Sequence, residues 1–232
     1  RNVTGVQTCA LPIYPSNGQV LVAVTDASID TGQGYWFIAA DGLGQVWVRA
    51  RDFNHFLRVR ASDGVILSRY LVDDVVSFGD MSIDTDGNVY ASWNPINNTK
   101  KNVAGGVIKF TKNNGYTVSQ FYSGPSASIA LDAFNHLWLA TGTYTDSSGK
   151  TYTGYLKKFD LATGQITTYP LTSGAANIAL DANGNIWAGG YPAVQWVSGA
   201  TGSIMQTYTG FAYPSGGEPT EYSLDYFVLG MR

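Results

Sequence analysis

One cysteine, Cys9, rules out an internal disulfide or a site built from several thiolates. Two histidines, His55 and His136, and two glutamates, Glu218 and Glu221, leave few groups for acid–base catalysis or transition-metal ligation. Lys and Arg number 14 against 17 Asp and Glu, a net charge of −3, and the cations are scattered, which argues against nucleic acid as a partner. No apolar run approaches the roughly eighteen residues of a membrane-spanning helix, so this fragment carries no membrane span. No amphipathic helical pattern is visible, and no Gly-x-Ser-x-Gly, P-loop or dinucleotide signature appears. Few charges with much Gly, Thr, Ser, Asn and Tyr fit an all-β protein of an extracellular or periplasmic setting.

What is present is a repeat. Ala176–Gly189 reads ANIALDANGNIWAG, and versions of it end at Val48, Ala91 and Leu139, with a partial copy at Glu221–Asp225. The register aspartates are Asp41, Asp84, Asp132, Asp181 and Asp225, 43 to 49 residues apart. A period in the forties made of short strands indicates propeller blades. Two residues before each aspartate the side chain is small (Ala39, Ser82, Ala130, Ala179, Ser223), as suits an innermost strand where blades converge. Three residues after it stand Gly44, Gly87, Asn135 and Gly184, which accept positive φ in a tight turn. Six after it stand Trp47, Tyr90, Trp138 and Trp187, large enough to fill the widening wedge between blades. Asp84–Asn88, DTDGN, has the first residues of a calcium loop but lacks the remaining ligands, and reads as a turn.

Hairpin hinges recur at Ser62-Asp63-Gly64, Asn113-Asn114-Gly115, Ala162-Thr163-Gly164 and Ala200-Thr201-Gly202, each with an apolar residue five before the glycine: Val59, Phe110, Phe159 and Val197. The sequence therefore predicts four complete four-stranded antiparallel blades, A to D, near residues 34–72, 79–123, 126–171 and 175–209. Partial strands flank them, a D strand at 17–24 and an A strand from Glu221. A and D are not neighbours in a blade, so the chain is expected to form an open arc of a β-propeller rather than a closed ring. Val3–Ile13, VTGVQTCALPI, is similar to a translated sequencing-library adapter. Residues 1–13 are accordingly expected to pack against nothing, leaving 14–232 as a partial propeller domain.

A–B and C–D turns lie at one end of such blades, and B–C and D–A loops at the other. Length variation falls mainly in the B–C loops, so ligand contacts are expected there. Those loops and their neighbours offer aromatic, amide and carboxylate groups at Asp52, His55, Asn97, Tyr144, Asp146 and Tyr191, suited to a carbohydrate or a protein surface. His55, beside Asp52 and Asn54, is the candidate base or ligand, while His136 occupies a turn slot filled elsewhere by Gln45, Asn88 and Asn185. Four residues before the register aspartates stand Phe37, Asp80, Ser128, Asn177 and Glu221. Gathered round an axis, Asp80, Ser128, Asn177 and Glu221 offer oxygens to Ca²⁺ or another divalent cation, or to ordered water.

The pattern D-x-x-G-N-hydrophobic-W, here DANGNIW, resembles the bacterial propellers that include NHL-repeat proteins, streptogramin B lyases, gluconolactonase and regucalcin-type proteins and two-component-regulator propellers. The resemblance implies the fold and leaves the chemistry open. In the lactonase branch a metal-binding aspartate stands five residues before the turn aspartate; here Trp36, Gly79, Ala127, Ala176 and Thr220 stand there, none of them a carboxylate. Three functions follow: a non-catalytic binding or scaffold propeller, a metal-dependent lyase or lactonase, and the sensor propeller of a regulator. The residues lean away from an enzyme.

Overall fold

The computed structural model describes residues 9–13, 20–24, 35–50, 55–72, 78–93, 105–113, 115–142, 144–145, 151–190 and 193–209. Every regular element among them is a strand. β1 (Cys9–Ile13) and β2 (Val20–Val24) form an antiparallel pair with Cys9 opposite Val24 and Ile13 opposite Val20. The expectation that residues 1–13 pack against nothing therefore fails for Cys9–Ile13. CALPI is apolar and extended, and β2 offers a strand edge to pair with. Pro12, which has no N–H to donate, interrupts the run of paired residues in that ladder.

The first four-stranded sheet is β3 (Tyr35–Ala40), β4 (Gln45–Ala50), β5 (His55–Arg60) and β6 (Ile66–Leu71). The second is β7 (Phe78–Ile83), β8 (Val89–Trp93), β9 (Gly106–Asn113) and β10 (Gly115–Ser123). The third begins with β11 (Ser128–Leu131) and β12 (His136–Ala140). A separate small hairpin, β13 (Tyr144–Thr145) with β14 (Thr151–Tyr152), intervenes before β15 (Tyr155–Asp160) and β16 (Ile166–Pro170) complete that sheet. The fourth is β17 (Asn177–Leu180), β18 (Ile186–Gly190), β19 (Ala193–Val197) and β20 (Ile204–Thr209). All pairings are antiparallel and follow chain order within each sheet. The first strands of successive sheets adjoin, β3 to β7, β7 to β11 and β11 to β17, so four blades of a β-propeller are set side by side with their A strands innermost. The A strand expected at Glu221 lies outside the described residues, and the ring-closure expectation with it.

The register aspartate explains the repeat. In the third blade Asp132 Oδ1 accepts the amides of Phe134 and His136, both at 2.9 Å, while Oδ2 faces His136 Nδ1 at 2.8 Å and accepts Trp138 Nε1 at 2.9 Å. In the second, Asp84 takes the amides of Asp86 and Asn88 on one oxygen, and Asn88 Nδ2 and the Tyr90 hydroxyl on the other. Asp181 repeats this with Asn183, Asn185 and the side chain of Asn185, but its indole donor is Trp196 of strand C, at 3.3 Å. Each carboxylate thus closes the turn and ties it to the following strand. The turn residue beyond it has positive φ, 83° at Gly87 and 63° at Asn135.

The aromatic six residues on fills the gap between blades. Trp47 is fully buried and meets Phe110 and Tyr116 of the second blade with ring centroids 5.2 and 4.7 Å apart. Tyr90 packs with Ile129, Leu137, Leu139 and Phe159 of the third, and Trp138 with Ile186, Ala188 and Val197 of the fourth. Full burial of such a side chain contributes about 1.5–3 kcal/mol, so these contacts are principal terms holding blade to blade.

Blade one departs from the pattern. Asp41 accepts the amides of Leu43 and Gln45, but its Oδ2, Gln45 Oε1 and Trp47 Nε1 are buried without hydrogen-bond partners. Gln45 is one methylene longer than the Asn88 and Asn185 that fill this slot elsewhere. Gln45→Asn is therefore expected to restore the side-chain bond to Asp41 and to stabilise the protein by about 1 kcal/mol in denaturant titration. A lower midpoint for that variant would contradict this account of the turn.

Candidate functional site

The two ends of the blades differ. At one end the A–B and C–D turns are stitched together within the first, second and fourth sheets: Ala61 N to Gly44 O at 2.9 Å, Lys112 N to Asn88 Oδ1 at 2.9 Å, and Gly199 N to Asn185 Oδ1 at 3.4 Å. His136 belongs to this end, held on the carboxylate of Asp132 with a side chain 20% exposed. The other end carries the B–C connections 51–54, 94–105, 141–154 and 191–192, and it varies widely in length.

The longest of these stands on a fixed neck. Thr141, buried, donates its amide to Tyr155 O and accepts Tyr155 N on its hydroxyl, both at 3.0 Å, while its carbonyl takes Ala175 N of the next blade at 3.0 Å. Leu171 N bonds Gly154 O at 3.1 Å. A Cβ on Gly154 would lie 2.5 Å from Thr141 O and 2.6 Å from Gly174 Cα, so the backbones close directly on one another. The β13–β14 hairpin, with Tyr144 opposite Tyr152, rises from this neck.

On the inner strands, the sequence-predicted oxygens meet in part. The Asp80 carboxylate accepts the Ser128 hydroxyl and the Ile129 amide. Ser128 Oγ in turn accepts the Ile178 amide at 3.1 Å. The column four residues before the turn aspartate therefore links the second blade to the third and the third to the fourth. Asn177 starts β17, and Glu221 lies outside the described residues. Among the described residues no three His, Cys, Asp or Glu side chains gather to hold a metal. A side chain at Gly79, the slot of the lactonase-type ligand, would overlap Ala127 O and come within 2.5 Å of Ser92 Oγ. His55 opens β5 at the loop-bearing end and is half-buried, and Tyr144 lies in β13. Asp52, Asn97, Asp146 and Tyr191 lie outside the described residues.

Sequence reasoning did not reach the Tyr122–Tyr155 pair, whose hydroxyls are 3.4 Å apart across the second and third blades. They stand in different strands of different blades, and only the register between sheets brings them together. Lys157 Nζ lies 5.0 Å from the Tyr155 ring centroid and 5.7 Å from that of Tyr122, and donates to Thr168 Oγ1 at 3.2 Å.

Burial pushes the Asp80 carboxyl above its ordinary range, and the Ser128 and Ile129 bonds oppose this without cancelling it. Burial also acts against the charge on Asp132 and Asp181, but the surrounding amide, imidazole, amide-side-chain and indole bonds outweigh it and lower both. Asp132 and Asp181 therefore add stability above the unfolded carboxyl pKa that is lost as pH falls through their folded values. Asp80 has the opposite sign: its stabilisation is present at low pH and is lost as pH rises through its raised pKa. Asp80→Asn does not ionise, so its melting temperature relative to wild type should increase between about pH 4 and pH 8. A difference independent of pH would refute the burial argument.

No family model matches the chain, and no curated protein does. Solved structures share the fold. A catalytically inactive variant of virginiamycin B lyase from Staphylococcus aureus, with quinupristin, is 19% identical over 77% of this chain and 57% of its own, with a TM-score of 0.56. The extracellular domain of BT4673 from B. thetaiotaomicron, assigned to a one-component system, is 14% identical over 76% of this chain and 22% of its own, TM-score 0.53. A nidogen/laminin complex is similar at 15% identity over 84% of this chain and 69% of its own, TM-score 0.55. The chain thus spans a little over half of the lyase structure. At these identities the likeness establishes the β-propeller fold.

Proposed function

We propose that the chain is a binding propeller acting outside the cytoplasm, which takes a carbohydrate or protein ligand on the end carrying the B–C and D–A loops. The observation that carries this reading is the contrast between ends. One is stitched by repeated aspartate turns, whereas the other bears connections from 191–192 to 141–154 in span, the longest with a hairpin on a clamped neck. A rigid scaffold with variable loops on one side is the usual layout of a binding surface. The fold neighbours are consistent with it, since one is an extracellular domain and another comes from a protein complex.

The lyase likeness gives a second reading, in which His55 would act as base at the same end. The neighbour's inactive form carries a histidine-to-alanine change. His55 alone could serve, because His136 is committed to Asp132 in a turn at the other end.

The test uses the whole chain on immobilised glycans and secreted proteins, beside a variant with residues 143–153 replaced by two glycines. The binding reading expects a ligand that the shortened variant loses while keeping its strand signal and melting temperature. Consumption of quinupristin by the wild type, abolished in His55→Ala, would overturn it in favour of the lyase.

A further inference from the structure

We infer that the boundary between the second and third blades, at the loop-bearing end, is a subsite for an acidic glycan, with Lys157 meeting its carboxylate and the Tyr122–Tyr155 hydroxyls meeting its diol. This rests on the binding reading in taking that end as the ligand side, and it adds the class of ligand.

Both phenols are held in place. The Tyr122 ring stands edge-on to Phe159 at 5.3 Å, and a Cβ on Gly124 would overlap its hydroxyl, so a side chain there would displace it. Tyr155 is fixed through both its backbone bonds to Thr141. With the two oxygens 3.4 Å apart, one phenol can donate to the other, and the pair keeps one hydroxyl hydrogen and several lone pairs for an incoming group. Burial keeps the Tyr122 hydroxyl protonated by raising its pKa, with Tyr155 acting in the same sense.

Lys157 lies two residues along β15 from Tyr155 and therefore on the same side of the sheet. Among the described residues its ammonium meets neutral groups, two rings and the Thr168 hydroxyl. One of its three N–H bonds serves Thr168, leaving two for an anion. Cations over rings recur in this fold, but Lys157 differs in lying beside two rings of adjacent blades whose hydroxyls meet. Paired hydroxyls for adjacent sugar hydroxyls and an ammonium for a carboxylate together fit a uronic acid. An acidic peptide supplies the carboxylate but no diol.

The experiment measures binding of polygalacturonate to the whole chain by calorimetry at low and high salt, with its methyl ester and polyglutamate as comparisons. Wild type should bind polygalacturonate in a salt-sensitive manner. Lys157→Met should weaken this about threefold to fivefold, and Tyr155→Phe about fivefold. Lys158→Met should leave it unchanged, because Lys158 lies over Trp138 at 5.3 Å on the other side of the strand. The ester should bind weakly and without salt dependence. Absence of polygalacturonate binding, equal binding by a folded Lys157→Met, or polyglutamate binding as tight as the sugar would overturn the inference. If another ligand is held and lost on shortening 143–153 while Lys157→Met has no effect, the subsite is wrong and the binding reading survives; if no ligand is held at all, that reading falls as well. Should Lys157→Met not fold, Tyr155→Phe, which deletes one oxygen, decides alone.

Discussion

The aspartate at each A–B turn is the constraint from which the rest of the architecture follows. Its first oxygen closes the turn on two amides, and in the second, third and fourth blades its second oxygen holds the side chain four residues on. Burying a carboxylate is unfavourable by itself, and bonds to a charged acceptor contribute about 1.5–3 kcal/mol each. At Asp132, with a side chain 4% exposed, the bonds win, since the carboxyl is lowered rather than raised. The same residue governs packing between blades. By taking Trp138 Nε1 it satisfies the polar end of an indole whose remaining surface is buried against the fourth blade. A turn capped in this way delivers a large aromatic to one height in the sheet, blade after blade.

Opposite that aromatic, strand C places a matched partner. Trp47 pairs in register with Arg58, Tyr90 with Lys109 and Trp138 with Lys158. Lys109 and Lys158 lie over their rings at 5.3 Å, so the alkyl stems cover apolar surface while the charge meets the ring face. In the fourth blade the partner is Trp196, stacked on Trp187 at 5.6 Å, and Tyr208 extends the row. That exchange accounts for the altered bond at Asp181: with a second indole in the cation's place, Trp196 rather than Trp187 reaches the carboxylate.

What could be read from the sequence divides along the same line. The turn aspartate, the positive-φ residue, the aromatic and the hinge glycine are set by local geometry within a hairpin, and each was legible by its spacing. The column of Asp80, Ser128 and Asn177 was legible as a position, but its action was not. Spacing shows that these residues share a height on neighbouring inner strands. It does not show that Ser128 bridges the Asp80 carboxylate and the Ile178 amide, which depends on how closely adjacent blades approach. Tyr122 and Tyr155 left no signal, because their meeting requires the register between two sheets as well as within each. Cys9–Ile13 was misjudged for a related reason: a short apolar segment pairs with an available strand edge whatever its position in the chain.

The loop-bearing end is left to vary by the close approach of main chains beneath it. Gly154 and Gly190 both abut Gly174, and any side chain at the first two would overlap or crowd its backbone. Thr141 O then takes Ala175 N across the same boundary. The ends of the B–C connections in the third and fourth blades are thereby fixed by backbone contacts that do not depend on what lies between them. A connection at 191–192 and one at 141–154 can rest on the same foundation, because extra chain length adds only a slowly growing closure entropy once its ends are held. The turns at the other end have no such freedom, since their length is set by the reach of one carboxylate. The loop end can therefore diversify without disturbing the aspartate turns that align the blades.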